Sequence, residues 1–224
     1  MTASSPPSGI GKLTPLQREL LAAFFRHDAE LFLTGGGALA GYWLGHRPTD
    51  DLDLFGLPGV DLERAVRALY LAVDETGGKV EPMQSYPDFR RLLVTRGAET
   101  CKIDFAVDRA PALDPDKPRF GDVRVDSARE IAANKVCALV GRSEIRDLVD
   151  LRALLEAGHD LAKAIADAQT KDGGADAATL AWLLDQLVIG PEARIPGEVD
   201  PVSLARFRDD LVVRLRALAA VETR

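Results

Sequence analysis

Apolar and polar positions alternate along this chain in two rhythms, one helical and one extended. From Leu13 to Arg26 the spacing is that of an amphipathic helix, with Thr14 placed to cap it and Pro15 at its first position. Leu31-Phe32-Leu33-Thr34 is a short apolar run stopped by Gly35-Gly36-Gly37, which predicts a buried strand ended by glycines. Ala38–Leu44 predicts a short helix. Asp51-Leu52-Asp53-Leu54-Phe55 changes to a period of two, that of a strand. Leu62, Val66, Leu69 and Val73 restore helical spacing over Asp61–Thr76, closed by Gly77-Gly78. Lys79–Met83, Phe89–Arg96 and Glu99–Val107 predict three further strands, with Arg96-Gly97-Ala98 as the turn between the last two. The proline-rich stretch 108–118 predicts a loop.

Beyond about Asp126 the extended rhythm disappears. Ser127–Val140, Glu144–Ala157, Asp160–Thr170, Ala175–Ile189 and Pro201–Val221 all predict helices, with glycines and prolines between them. The expected fold class is α/β (α+β): a mixed sheet with flanking helices, then a helical C-terminal domain. The expected division is a flexible N-terminal tail over 1–12, a sheet-bearing core over 13–125 and the helical domain over 126–224.

Composition narrows this picture without changing it. The chain has 224 residues, 46% of them hydrophobic and 28% charged, which suits a buried core and excludes global disorder. Its apolar runs are too short to cross a bilayer, and residues 1–12 lack the basic start and apolar stretch of a signal peptide, so the expectation is a cytoplasmic protein with no membrane partner. Two cysteines, Cys101 and Cys137, are too few to staple the fold and read as reduced apolar fillers; three scattered histidines suggest no zinc site. The net charge of −7 argues against a general nucleic-acid coat and leaves room only for a local basic patch.

The chemistry lies in Thr34–Phe55. A strand ending in glycines and running into a helix brings backbone N–H groups close to an anion, as phosphate binding requires. Asp51 and Asp53, two apart on a strand, share one face, while Leu52 and Leu54 point into the core. Like charges so close repel unless a divalent cation neutralises them, and Mg²⁺ suits a few carboxylates plus phosphate oxygens. Asp104, on the strand Lys102-Ile103-Asp104-Phe105-Ala106, is a third acid that would join them if the two strands are neighbours. Three acids around metal ions serve in-line phosphoryl or nucleotidyl transfer, and Asp104 suits a proton acceptor.

This order of a hydrophobic strand, Gly-Gly, Asp-x-Asp between apolar residues and a later lone Asp resembles the DNA polymerase beta-like nucleotidyltransferase superfamily. Within it, Gly45-His46-Arg47-Pro48-Thr49-Asp50-Asp51-Leu52-Asp53-Leu54-Phe55 is similar to the AbiEii/MenT branch, which holds toxins of toxin–antitoxin and phage-abortive systems. Lys135–Arg142 followed by Arg146-Asp147-Leu148-Val149-Asp150-Leu151 is similar to that branch's helical motifs. The resemblance runs from about Leu31 to Leu155. It implies a metal-dependent enzyme that uses Mg²⁺ (or Mn²⁺) and moves a nucleoside monophosphate from an NTP to a hydroxyl. By resemblance the acceptor is RNA, with the 3′ end of tRNA as a candidate, and a cognate antitoxin is a partner. It further implies that Gly36 and Gly37 hold the triphosphate, that Asp51, Asp53 and Asp104 bind metal, and that Arg47 and Thr49 donate to phosphate. Lys135 then offers a point charge to the triphosphate, and Asp147 orients Lys135 or the nucleotide.

Plainer readings stand beside these. The glycines suit a simple turn, and the Asp-Leu-Asp run suits an exposed strand face. Lys135 suits a solvated helix flank, and Arg142, Arg146, Asp147 and Asp150 suit surface salt bridges. Trp43 and Trp182 read as core residues rather than base-stacking platforms. Two rival functions also remain at this point: a small-molecule nucleotidyltransferase of the aminoglycoside type, and a non-catalytic binding or regulatory protein on the same fold. Arg206, Arg208, Arg214 and Arg216 are the expected local basic surface for RNA.

Overall fold

The computed structural model describes residues 11–222; the expected N-terminal tail lies, over 1–10, outside the described residues. The described residues form two compact units, one of residues 11–109 with Asp114–Ser127, the other of Ala110–Leu113 with residues 128–222.

The first unit opens with α1 (Pro15–His27), started by a capping box in which the Thr14 side chain accepts from the Gln17 amide and the Gln17 side chain accepts from the Thr14 amide. Five strands follow: β1 (Phe32–Thr34), β2 (Asp51–Gly56), β3 (Lys79–Tyr86), β4 (Phe89–Arg96) and β5 (Glu99–Val107). They form one mixed sheet in the order β1-β2-β5-β4-β3. β2 and β5 run parallel, and the other neighbours are antiparallel. α3 (Leu62–Thr76) is capped by Asp61 and ends on Gly77 at φ +72, a left-handed position that suits glycine. α1 and α3 cover one face of the sheet, where Leu52, Leu54, Leu92, Val94, Ile103 and Phe105 are buried. There Phe24 of α1 stacks on Phe105, ring centroids 5.5 Å apart. Alternation along β2 and β5 then puts the intervening residues, the acids among them, on the opposite face.

Three details depart from the sequence reading. The glycine triplet is not a turn: α2 (Gly35–Ala38) starts at its first glycine and passes into a π-helical turn, Leu39–Trp43, closed by a 2.8 Å bond from the Leu44 amide to the Leu39 carbonyl. β3 runs to Tyr86 rather than Met83, because a bulge between Pro82 and Gln84 lets pairing with β4 resume. A small hairpin, β6 (Arg119–Phe120) and β7 (Val123–Arg124), folds in the stretch after the proline-rich loop.

The second unit is helical: α4 (Ala128–Arg142), α5 (Ile145–Glu156), α6 (Leu161–Lys171), α7 (Ala177–Gln186) and α8 (Pro201–Glu222). α5, α6 and α7 pack on α4, and α8 lies along α7. Asp160 and Asp176 cap α6 and α7. Arg129 and Asp167 join α4 to α6 through two bonds of 2.6 Å, and the segment Ala110–Leu113 is clipped on by the Leu113 amide donating to Glu130. Trp182 is 64% exposed, so it is not the core residue expected. Its helix is short, and Leu180, Ala181 and Leu184 supply the buried face instead. Among the described residues no helix is long and apolar enough to cross a membrane. The observed class, a mixed sheet with flanking helices followed by a helical bundle, is the one the periodicity predicts.

Candidate active site

The register of β2 on β5 decides which acids meet. Asp53 pairs with Asp104 and Asp51 with Lys102, so in this parallel pair Asp51, Asp53 and Asp104 lie on one face of adjacent strands. On the other side Asp53 pairs with Thr34, the last residue of β1 and the residue from which α2 springs. The acids therefore stand beside the glycine-led helix start although fourteen or more residues separate them in sequence.

The three glycines do different work there. Gly35 has φ +63, and a Cβ at this position would lie 2.5 Å from the Asp53 Oδ2, so only glycine lets this carboxylate approach the backbone. A Cβ on Gly36 would lie 2.7 Å from an Arg47 guanidinium nitrogen and 3.4 Å from the Thr49 hydroxyl. Gly37 instead faces the core, against Leu52 at 3.1 Å and Leu33 at 3.3 Å by the same measure. The structure thus brings Gly36, Arg47 and Thr49 together and turns the Cα of Gly37 inward. Arg47 and Thr49 are buried. The Thr49 hydroxyl donates to the Asp51 carboxylate at 2.9 Å, and the Gln17 side chain of α1 donates to the Thr49 carbonyl at 2.8 Å. Asp50, between them in sequence, is exposed.

Asp126 braces the helix start from below. It is fully buried, accepts from the Thr34 hydroxyl at 2.8 Å and pairs with Lys117 at 2.8 Å, while its carbonyl accepts from the Trp43 indole at 2.9 Å. Trp43 also meets Phe120 edge-on, so it packs rather than presents a platform. Lys117 lies 4.5 Å over the Phe32 ring, which helps hold a buried cation.

Asp104 is buried and bidentate to Arg91 of β4, with contacts of 2.7 and 2.5 Å. The Asp104 hydrogen bonds, with the charges of Asp51 and Asp53 behind them, hold the Arg91 guanidinium above its ordinary range. Arg91, Gly35 and Asp126 are site residues that the pattern reading missed. Arg91 is one arginine in a strand, and Asp126 sits at an element boundary; neither carries a local signal. A divalent cation fits this donor set by chemistry: Mg²⁺ takes one or two carboxylates and leaves its other positions to phosphate and water, and Asp51 and Asp53 are partly exposed on one face. Among the described residues no three Asp, Glu, His or Cys side chains form a ready metal cage, with Asp104 committed to Arg91.

The remaining expected residues lie in the helical unit. Lys135 is not a solvated flank: it is 6% exposed, 2.8 Å from Asp147 and 2.6 Å from Asp150. Asp147 and Asp150 are one turn apart on α5, both fully buried, and Arg142 adds bonds of 2.8 and 3.0 Å to Asp147. Burial raises the Asp147 carboxyl, but Arg142 and Lys135 outweigh it and hold the group below its usual range. Arg146 makes a surface pair with Glu144. Of the arginines expected to form a basic surface, Arg208 pairs with Asp209 and Arg216 with Asp185, so the charge of α8 is partly cancelled.

Solved structures share this architecture. JHP933 from Helicobacter pylori superposes with a TM-score of 0.56 at 20% identity, covering 93% of this chain and 94% of that one. A second H. pylori protein, described as a nucleotidyltransferase, gives a TM-score of 0.56 at 19% identity over 91% and 94%. The antibiotic-resistance factor ANT(2'')-Ia is matched at a TM-score of only 0.34, with 20% identity over 74% and 85%, a likeness that carries no argument. No curated protein matches. At such identities the shared feature is the fold, whereas the profile described as "Nucleotidyl transferase AbiEii toxin, Type IV TA system" matches in sequence, over residues 19–218. Little of the chain falls outside that match, and the chain therefore belongs to the AbiEii nucleotidyltransferase toxins of type IV toxin–antitoxin systems, enzymes that transfer a nucleoside monophosphate.

Proposed function

We propose that this enzyme transfers a nucleoside monophosphate from an NTP to a hydroxyl of RNA, in the cytoplasm, and that a cognate antitoxin counters it. The reading is carried by one observation: Asp53 and Asp104 pair across parallel strands, with Asp51 on the same face and the glycine-led helix start against Asp53. The acceptor oxygen attacks the α-phosphorus, the bond to the β-phosphate breaks, and pyrophosphate leaves. Bound between Asp51, Asp53 and the triphosphate, Mg²⁺ or Mn²⁺ would supply charge that acidifies the acceptor hydroxyl and steadies the leaving group. Gly36 borders the triphosphate, with Gly37 packed behind it against Leu33 and Leu52, and Arg47 and Thr49 donate to its oxygens. Asp104 serves as the third acid, as ligand or proton acceptor.

The net charge of −7 and the paired arginines of α8 favour a second reading, in which the acceptor is a hydroxylated small molecule. The two separate cleanly. Each labelled NTP is incubated with Mg²⁺ and either total RNA or a panel of hydroxylated small molecules, with Asp51→Asn as control. Label on RNA that vanishes in the variant is the expected result. Label on a small molecule alone overturns the RNA acceptor, and no transfer to any acceptor with Mg²⁺ or Mn²⁺ overturns the proposal.

A further inference from the structure

Three carboxylates share one face of β2 and β5, and the Arg91 guanidinium is gripped by one of them within the field of all three. The grip is specific. Arg91 Nε meets one oxygen of Asp104 at 2.7 Å and Nη2 meets the other at 2.5 Å, the fork-to-fork geometry that only arginine gives. The position is built rather than accidental, because Arg91 and Asp104 are cross-strand partners in the β4–β5 register. The Phe89 ring, 5.4 Å from the guanidinium carbon, backs the charge. Asp104 is 5% exposed, so without Arg91 it would be a buried acid among acids.

We infer that Arg91 is a resident counter-cation of the acidic face, which a divalent ion displaces from Asp104 when it binds. The inference rests on the metal-dependent reading above and adds to it a residue outside the Gly and Asp motifs. With Arg91 in place, both Asp104 oxygens are occupied by hydrogen bonds and a positive charge faces any arriving cation. Both effects weaken metal binding. With Arg91 displaced, the third acid turns from an ion-pair partner into a donor for the metal. The pair thereby offsets one of the three negative charges while no metal–nucleotide is present. Arg91 acts through Asp104 and is a positioning residue.

The test is direct Mn²⁺ binding to the full chain without nucleotide, followed by electron paramagnetic resonance, with Mn²⁺-dependent thermal shift as a second readout. Arg91→Gln is expected to bind Mn²⁺ about tenfold or more tightly than wild type, and to gain more thermal stability from it. Arg91→Lys, which keeps a charge but loses the fork, is expected to fall between them; it also serves where the glutamine variant does not fold, since an affinity equal to or below wild type overturns the inference there too. Arg90→Gln, on the other face of β4 beside Glu63, is expected to match wild type. Unchanged or weaker binding in Arg91→Gln, with wild-type binding abolished by Asp51→Asn, overturns the counter-cation role and leaves the metal site standing. Absence of Mn²⁺ binding in wild type and Arg91→Gln alike overturns both.

Discussion

Lys135→Met isolates the cost of an ammonium buried between two aspartates. The substitution nearly preserves side-chain volume and removes only the charge and its hydrogen bonds. Lys135 Nζ lies 2.8 Å from Asp147 and 2.6 Å from Asp150, and both carboxylates are fully buried. Removing one partner of a buried pair costs about 3–5 kcal/mol, because the other charge stays in a poor solvent. Arg142 still holds Asp147, so the loss concentrates on Asp150 and the lower end applies, about 3 kcal/mol at neutral pH. For a chain of this length that corresponds to a melting temperature lower by about 6–12 °C. The double variant Lys135→Met/Asp150→Asn is expected to recover at least half of the loss, since an amide is far cheaper to bury than a carboxylate that has lost its ammonium. The pH dependence has a definite sign. Asp147 is held below its usual range in the folded chain, so its contribution is complete above the unfolded value of about 3.9 and fades as pH falls through the folded value. Part of that contribution is absent in Lys135→Met, so the gap between variant and wild type should narrow on acidification below about pH 4. Urea denaturation across pH 3–7 measures it. A gap under about 1 kcal/mol at pH 7, or one that widens in acid, refutes the reasoning.

Three further outcomes are expected. Gly35→Ala should lower stability by about 1–2 kcal/mol and impair Mn²⁺ and NTP binding, because its left-handed φ and its contact with Asp53 both exclude a methyl group; Gly36→Ala should be milder, since its φ is ordinary and its tight contact is with the end of the Arg47 side chain. Calorimetry and equilibrium dialysis compare the two, and equal effects would contradict the geometry. Thr49→Val removes the 2.9 Å bond to Asp51 and should cost about 1 kcal/mol of stability while raising the KM for metal–NTP more than it lowers kcat; a change in kcat alone would argue against a role in nucleotide binding. Phe24→Ala empties the stack on Phe105 and should destabilise by about 3–5 kcal/mol without changing the Mn²⁺ affinity of the chain that remains folded.

Local rhythm alone was enough for much of this protein. The capping box at Thr14, the switch from period two to helical spacing, and the placement of Leu52 and Leu54 inward all follow from side-chain alternation, which neighbouring residues settle among themselves. The family was also readable, because its motifs are contiguous in the chain. Three-dimensional pairing decided the rest. Periodicity placed Asp104 on a strand but not beside Asp53; that required β5 to add next to β2 in parallel, with a register no local pattern encodes. The glycine triplet read as the stop between a strand and a helix beginning at Ala38, because glycine is a poor helix former, yet the bracing of Thr34 by buried Asp126 and the packing of Gly37 on Leu33 and Leu52 start the helix at Gly35. Arg91 and Asp126 were invisible for the same reason: a lone charge in a strand or loop gains its meaning only from the partner that folding sets against it, Asp104 thirteen residues from Arg91 and the Thr34 hydroxyl ninety-two from Asp126.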